Sequence, residues 1–502
     1  MHDPAISSKP VAPSAHALAR GFSWIWSATL VGQAAWFGSL LLLGMLLPPS
    51  AFGSVAIGLF VATAAGLVQD AGSRGTIVLR RQLRARDVAQ AVTVNAAVGL
   101  AFAAVAWLIA GAVIDRFAKG ADPLVFQVLM LSVAVRAFAI APMAVLQRTL
   151  QFKLQGSVTA SSMFIAALAS VAAAGLGAGA WALVIRQLTA ATLLPLLAWL
   201  VARKPLRAEL AAPPRERAPR RMGGAFWFFV LAAADFVALS IDSMVVGHSQ
   251  GAVQLGLYSL AFTLAFAPLT NFAWQIGKVV FPAAAQTADL QLVTVRMLRT
   301  TRLTAVILLP LLPPMLVLAP VLLPALLGAE WEPMVVPFQI LVSVGIGHAL
   351  LVALGDSMSG IGVVAWRARL HACWSLAMVL TLVVCVRSWG ITGAAVAHAL
   401  MFVPFAAAYV LRGTRFLDTG PLEFLRAIEG VAAAVVIELA VTLAVLAAAR
   451  QVLPTAPAAL LAAATGGCAV VLVVGRFAPT LQSECRGLLR ALAGRSATTA
   501  GT

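Results

Sequence analysis

Charged residues are scarce in this chain. Only 11% of its 502 residues are Asp, Glu, Lys or Arg, whereas 61% are hydrophobic; soluble proteins average about 25% charged residues. Apolar runs of roughly twenty residues recur from end to end, and each is long enough to cross about 30 Å of hydrocarbon. The roughly ten-residue alternating segments of a membrane β-barrel are absent. The composition therefore predicts an all-α, polytopic membrane protein.

Two chemical motifs are also missing. None of the four cysteines forms a CxxC pair, so packing residues or free thiols are expected. The chain lacks GxxxxGK[ST], and its one Gly-Lys pair, Gly277-Lys278, has neither the upstream Gly nor the following Ser or Thr. We therefore expect no cofactor and no nucleotide, which leaves an ion gradient open as an energy source.

Acidic residues are about half as numerous as basic ones, which gives a net charge of +17. In a membrane protein such an excess reports topology, because Lys and Arg collect in cytoplasmic loops. With the N-terminus inside, only four loop cations face outward: Arg116, Lys119, Arg387 and Arg450. Both termini are thus predicted to be cytoplasmic, and no nucleic-acid partner is expected.

The apolar segments form two groups of six and a terminal pair. The predicted spans are residues 22–46, 52–74, 88–112, 124–146, 157–178, 180–202, 224–247, 255–282, 303–327, 334–355, 364–386, 391–411, 428–448 and 456–475. A basic, Pro-containing linker that we expect to be too polar to pack separates the sixth span from the seventh. The predicted domains are a tail 1–20, an N-lobe 21–202, the linker 203–222, a C-lobe 223–411, helices 13 and 14 at 412–476, and a tail 477–502.

The two groups of six resemble each other. FQVLMLSVAVRAF, which contains Arg136, matches FQILVSVGIGHAL, which contains His348 at the equivalent position. A second match places Arg186 within one residue of the position of His398. Because the first span of each group starts inside, the duplication is predicted to be parallel, with its axis along the membrane normal.

Several loop and helix-start stretches follow a recognisable order. They are LPPSAFGSVAIGLFVATAAGLVQDAGSRGTIVLRR (47–81), AWALVIRQL (180–188), IDSMVVGHSQGAVQLGLYSLAF (241–262), KVVFPAAAQ (278–286) and AEWEPMVVPFQIL (329–341). Together they resemble bacterial polysaccharide-lipid flippases, the O-antigen and exopolysaccharide translocases of the multidrug/oligosaccharidyl-lipid/polysaccharide exporter superfamily. The resemblance covers about residues 20 to 480. Phe262 and Thr263 depart from the Tyr and the basic residue usual in the family.

The resemblance implies two lobes around a central cavity that opens alternately to each side of the bacterial inner membrane. The implied substrate is an oligosaccharide joined through pyrophosphate to a polyprenol, flipped outward for O-antigen, capsule or exopolysaccharide synthesis. Membrane lipids and a polymerase or ligase of the same glycan pathway are the implied partners. A drug/cation antiporter of the same superfamily is the alternative. A membrane enzyme is not expected, because the loops are too short for a catalytic domain.

Cations inside the spans predict where the substrate binds. Inserting an ionised residue at a helix centre costs about 2.5–3.5 kcal/mol on insertion scales. The presence of Arg136, Arg186 and Lys278 inside predicted spans therefore indicates a function or a partner for each. Arginine forks and a lysine point charge suit a pyrophosphate. His348 joins this predicted cavity through its position in the repeat. The alternative is ion pairing with intramembrane carboxylates, which would satisfy burial without a ligand.

Four further charges predict ion coupling or gating. Asp235 and Asp242 are seven residues apart on one span, so they lie on one helix face. They could take a proton or hold Na⁺ and so couple flipping to an ion gradient, or they could form salt bridges to cations of the opposite lobe. Asp70 and Arg74 are spaced i, i+4, which favours a local helix pair over a gate.

Overall fold

The computed structural model describes residues 15–79, 82–149, 151–211 and 225–477, with the side chains left out at 15–30, 70–76, 78–79, 152, 225, 278 and 470–477. Within these ranges the chain is helical and contains no strand. The helices are α1 (Ala15–Leu46), α2 (Pro49–Leu79), α3 (Ala85–Phe117), α4 (Pro123–Ala137), α5 (Ile140–Arg148), α6 (Phe152–Gly175), α7 (Trp181–Ala211), α8 (Ala225–Ala265), α9 (Ala267–Gln286), α10 (Leu290–Leu308), α11 (Leu312–Leu327), α12 (Val335–Gly360), α13 (Val364–Gly413), α14 (Pro421–Ala449) and α15 (Thr455–Phe477).

Each predicted span falls on helix, although two helices carry more than one span. The 50 residues of α13 would measure about 75 Å if straight, far more than the roughly 30 Å of hydrocarbon. The helix breaks at Gly390, where φ is +58°, and α8 breaks in the same way at Gly251, where φ is +79°. The described part of the chain has ten helical stretches long and apolar enough to cross a membrane, which confirms the predicted all-α polytopic class.

Other predicted spans consist of two shorter helices. The fourth span divides into α4 and α5 at Phe138–Ala139, and Arg136 lies in the last turn of α4, where its carbonyl accepts the N–H of Ala139. The ninth span divides into α10 and α11 around Pro310 and Pro313, because proline supplies no N–H to a continuous helix. Each of these two predicted spans therefore consists of two helices separated by a break.

A matched contact supports the predicted duplication. The side-chain amide of Gln127 on α4 donates to the carbonyl of Trp107 on α3, at 3.2 Å. Its repeat partner Gln339 on α12 donates to the carbonyl of Leu316 on α11, at 2.7 Å. The same residue type therefore anchors the equivalent helix of each lobe to the helix before it.

The lobes meet closely at the end predicted to face outward. A Cβ added to Gly53 on α2 would lie 1.8 Å from the carbonyl oxygen of Ala252, and one added to Gly256 on α8 would lie 1.7 Å from the carbonyl oxygen of Pro49. Only residues without a side chain allow this approach. We call this contact, residues 49–53 against 252–256, the outer seam.

The predicted linker is partly helical and packed. Helix α7 runs to Ala211, and Glu209 is buried with one carboxylate oxygen 2.6 Å from Nε of Arg148. Arg148 also donates to the carbonyl of Ile77, at 3.1 Å. The expectation that the linker is too polar to pack is wrong for residues 203–211, because its carboxylate meets a buried arginine.

The remaining predicted domain limits stay predictions. Residues 212–224 of the linker region lie outside the described residues, as do residues 1–14 and 478–502 of the predicted tails. Helix α1 begins at Ala15, inside the segment expected to be a tail.

Candidate functional site

Two adjoining cavities lie between the lobes. The inner chamber, of about 580 Å³, is on the side predicted to be cytoplasmic, and the outer chamber, of about 250 Å³, lies beneath the outer seam. Thr63, Leu239 and Ser240 line both of them. The two chambers therefore adjoin each other along α2 and α8, and together they extend through much of the predicted membrane thickness.

The inner chamber combines a cation, a carboxylate and an aromatic ring. Arg136 on α4, Asp235 on α8 and Trp274 on α9 line it. Arg136 is exposed to this space, and Trp274 is 53% exposed. A guanidinium can bind an anionic group here, while an exposed indole face can pack on a sugar ring.

The outer chamber contains a buried arginine. Arg186 on α7 is only 5% exposed, and its guanidinium carbon lies 3.5 Å from the centroid of the Trp36 ring on α1. One Nη donates to the carbonyl of Trp36 at 3.4 Å, whereas Nε has no hydrogen-bond partner. No described carboxylate forms an ion pair with Arg186. The ion pair with an intramembrane carboxylate, which was the alternative explanation for Arg186, is therefore not formed with any described residue.

Both predicted coupling carboxylates pair with histidines of α13. Asp235 makes a short contact through Oδ1 with Nδ1 of His371. Asp242, which lines the outer chamber, accepts the hydroxyl of Tyr258 at 2.7 Å and lies 3.3 Å from Nε2 of His398. These two carboxylates therefore do not form the salt bridges to cations of the opposite lobe that were the alternative prediction.

The sequence analysis did not identify His371 or His398 as partners of these carboxylates. The spacing of Asp235 and Asp242 could have indicated such partners. It places two carboxylates on one face of a helix inside the membrane, where each needs a group to pair with. Tyr258 offered a second signal, since the chain has only two tyrosines and a buried tyrosine hydroxyl needs a partner.

His348 was predicted to line the cavity with Arg136, and this placement is wrong. Its ring lies inside the C-lobe, 4.8 Å from the Phe402 ring and 5.4 Å from the Phe266 ring, and it lines neither chamber. Its Nδ1 lies 3.2 Å from the carbonyl oxygen of Val344. The repeat positions differ because α4 ends directly after Arg136, whereas α12 continues to Gly360.

The side chains of Lys278, Asp70 and Arg74 lie outside the described residues. Their backbone is helical, in α9 for Lys278 and in α2 for the other two. Their predicted roles, in substrate binding and in gating, stay predictions.

The sequence of residues 42–336 matches the model of a family described as polysaccharide biosynthesis protein. The chain belongs to this family. It is similar to the lipopolysaccharide biosynthesis protein WzxC of Escherichia coli (strain K12), with 21% identity over 327 residues. The match covers 65% of this chain and 66% of WzxC, just under two thirds of that relative.

Three solved structures share the fold. The lipid II flippase MurJ in an inward closed conformation has a TM-score of 0.69 at 10% identity, covering 93% of this chain and 99% of MurJ. A MOP superfamily transporter from Pyrococcus furiosus has a TM-score of 0.54 at 13% identity, and an outward-facing multidrug resistance MATE transporter has 0.54 at 14%. Both of these matches cover 80% of this chain and 96% of the other. The predicted superfamily fold is confirmed.

Proposed function

We propose that this protein flips a polyprenyl-pyrophosphate-linked oligosaccharide outward across the bacterial inner membrane by alternating access. Membership of the polysaccharide biosynthesis family supports this proposal. So do a relative that is named for lipopolysaccharide biosynthesis and a fold shared with a lipid II flippase. The flipped glycan would serve O-antigen, capsule or exopolysaccharide synthesis, with a polymerase or ligase acting on it afterwards and both termini of the flippase in the cytoplasm.

The buried guanidinium of Arg186 is the observation that carries the proposal. Burying a charge is costly unless it is paired and hydrogen-bonded, and Arg186 has an open Nε and no described carboxylate partner. A pyrophosphate in the outer chamber would supply both the counter-charge and the acceptor. The Trp36 ring holds the guanidinium plane in place, so the fork is oriented before the ligand arrives.

The two chambers suggest successive steps of one crossing. The head group enters the inner chamber, where Arg136 meets the pyrophosphate and Trp274 offers a face to a sugar. It then moves along α2 and α8, past Thr63 and Ser240, to Arg186 in the outer chamber. The polyprenol tail stays in the bilayer, so only the polar part of the substrate uses the path between the lobes.

Alternating access requires the outer seam to open for release. The seam is closed by close backbone approach at Gly53 and Gly256, above the outer chamber, which adjoins the inner chamber on its other side. This arrangement fits loading from the cytoplasmic leaflet. No covalent bond is made or broken in such a cycle, so the protein acts as a transporter and not as an enzyme.

The alternative function is drug/cation antiport, and the carboxylates that line the two chambers are the observation in its favour. Asp235 and Asp242 could attract a cationic substrate. However, each already pairs with a histidine, and Asp242 also accepts the Tyr258 hydroxyl. Arg186, in contrast, forms no ion pair with any carboxylate of the described residues, which favours an anionic substrate.

Transport by the purified protein in liposomes tests the proposal. A fluorescent polyprenyl-pyrophosphate oligosaccharide and, separately, a cationic dye are the two substrates. We expect wild type and Arg450→Gln, which changes an exposed arginine predicted to face outward, to move the glycolipid, and Arg186→Gln to move it roughly ten- to a hundredfold more slowly. Movement of the dye alone would overturn the proposal in favour of the antiporter.

A further inference from the structure

The break in the fourth span forms part of the wall of the inner chamber. Arg136, Ala139, Ile140 and Met143 line this chamber, and all four lie on the turn between α4 and α5 or directly beside it. At this turn the N–H groups of Phe138 and Ala139 bond to the carbonyls three residues back, whereas an α-helix uses the fourth. The direction of the Arg136 side chain therefore depends on how the break is held.

Pro142 leaves one carbonyl of the break without its helical donor. In a continuous helix the carbonyl of Phe138 would accept from the N–H of residue 142, and proline has no N–H. The indole N–H of Trp199 on α7 donates to this carbonyl instead, at 3.0 Å. The Trp199 ring also packs against the buried apolar cluster that includes Ala141 of α5. Inside a membrane a backbone carbonyl needs a partner within the protein, so Trp199 stabilises the break.

Gln69 on α2 holds the other side of the break, the last turn of α4. It is 4% exposed, and its side-chain nitrogen donates to the carbonyl of Val133 at 3.3 Å and to the carbonyl of Asn95 on α3 at 3.4 Å. Both acceptors are oxygens, so the nitrogen of this amide must face them. A Cβ added to Gly99 would lie 2.7 Å from the same nitrogen. Gln69 therefore joins α2, α3 and α4 about one turn before Arg136.

The C-lobe contains the equivalent segment without a break. In the match that places His348 at the position of Arg136, Leu354 takes the place of Pro142. Helix α12 continues past this position, and the His348 ring lies inside the lobe. Within one molecule, the broken copy directs its polar residue into the chamber, and the unbroken copy directs it into the lobe.

We propose that Gln69 and Trp199 are positioning residues for Arg136. They hold the last turn of α4 at the break that Pro142 creates, and so keep the guanidinium in the inner chamber. That this placement matters for transport rests on the proposed function. The side-chain nitrogens of both residues bond to backbone carbonyls, so their effect on the pyrophosphate is exerted through the guanidinium.

The test measures access to position 136 directly. The full chain, with its four native cysteines replaced and with Arg136→Cys, is placed in nanodiscs and reacted with a membrane-impermeant maleimide. Three changes are then added singly: Trp199→Phe and Gln69→Met, which remove a donor and keep the bulk, and Pro142→Ala, which restores the N–H. In a parallel series the reactive cysteine is Thr159→Cys, on α6 in the same chamber, which reports whether the chamber stays open.

Two matched controls use similar changes away from the break. Trp107→Phe alters an exposed ring on α3, and Pro123→Ala alters the first residue of α4, where no helical N–H is needed. The three test variants are expected to slow labelling at residue 136 by roughly two- to tenfold, which corresponds to one hydrogen bond gained or lost. Labelling at residue 159 is expected to stay unchanged, and the controls are expected to change neither rate.

The same variants are tested for transport with Arg136 in place. Initial rates of flipping of a fluorescent polyprenyl-pyrophosphate oligosaccharide are measured in liposomes over a range of glycolipid concentrations. A misdirected guanidinium binds the head group less well in the inner chamber. The concentration that gives half the maximal rate is therefore expected to rise by roughly two- to tenfold, with a smaller change in the maximal rate. Trp107→Phe and Pro123→Ala are expected to behave as wild type.

The possible failures point to different conclusions. Unchanged labelling at residue 136 in folded variants overturns the positioning role. Equal losses at residues 136 and 159 overturn it as well, because the variants would then close the chamber and not redirect one side chain. Slower labelling at residue 136 together with normal flipping overturns the link between this placement and transport. If wild type moves no glycolipid, the proposed function fails, while the labelling rates still decide whether Gln69 and Trp199 position residue 136.

Discussion

Arg186 lies over the indole ring of Trp36, with its guanidinium carbon 3.5 Å from the ring centroid. The contact joins α7 to α1 inside the N-lobe and points the charged group toward the outer chamber. Stacking fixes the plane of a guanidinium without consuming its counter-charge. The cation is thereby held rigid while it remains able to bind an anion from the chamber.

We expect Arg186→Gln to slow glycolipid flipping by roughly ten- to a hundredfold, which corresponds to the loss of a charge-assisted hydrogen bond of about 1.5–3 kcal/mol. The flipping rate of Arg186→Lys is expected to lie between those of Arg186→Gln and wild type, because lysine keeps the charge but loses the planar fork and the stacking. Initial flipping rates in liposomes measure both. Equal rates for the lysine and glutamine variants would argue against charge as the cause.

Arg136→Ala is expected to abolish flipping while the protein remains inserted at its normal level. Arg136 is exposed in the inner chamber, so the variant removes a cation from the chamber without creating a cavity in the buried core. Membrane immunoblots and flipping assays measure the two effects. A charge swap of Arg136 with Asp235 is not expected to restore flipping, since Asp235 pairs with His371. Restoration by the swap would show that Arg136 is structural.

The sequence alone was sufficient to predict that the apolar runs are helical and to single out two arginines that line the chambers. Apolar runs set the spans because a membrane imposes a length on every crossing. Arg136 and Arg186 were identified because a charge within such a run is costly and requires a reason. Both arguments are local, since each compares a residue only with its neighbours in the chain.

The partners of the carboxylates could not be predicted in this way. His371 and Asp235 are 136 residues apart in the chain, and their pairing depends on how the part of α13 before the break at Gly390 packs against α8. His348 was misplaced for a related reason, because the repeat fixes its position along the helix but not the side of the lobe that its ring enters. Such contacts between distant residues follow from packing, which leaves no pattern in a single sequence.

Arg148→Met is expected to destabilise the protein by about 3–5 kcal/mol, because it removes a buried cation that contacts the Glu209 carboxylate at 2.6 Å. The double variant Arg148→Met/Glu209→Met should recover part of this loss, although the Ile77 carbonyl still loses its donor. Thermal unfolding in detergent measures both. Arg86→Met is the control, since that side chain is 72% exposed. A double variant no more stable than the single one would contradict this role for the pair.

Gly256→Ala is expected to open the outer end of the protein. The added methyl group would lie 1.7 Å from the carbonyl oxygen of Pro49, and overpacking of this kind costs about 1–3 kcal/mol. If the cost falls on the closed state alone, the ratio of open to closed molecules rises roughly five- to 150-fold. Gly38→Ala is the matched control on α1, because nothing lies within 4 Å of its added Cβ.

The accessibility of the outer chamber measures this shift. A cysteine at Ser259, which lines that chamber, is introduced after the four native cysteines are replaced, and a membrane-impermeant maleimide is added from outside. Labelling should be slow in the parent and in Gly38→Ala, because the outer seam covers the chamber, and faster in Gly256→Ala. Faster labelling together with slower flipping would mean that closure of the seam is a step of the cycle. Unchanged labelling in a folded Gly256→Ala protein would mean that the seam does not control access, and the outer gate would then have to lie elsewhere between the lobes.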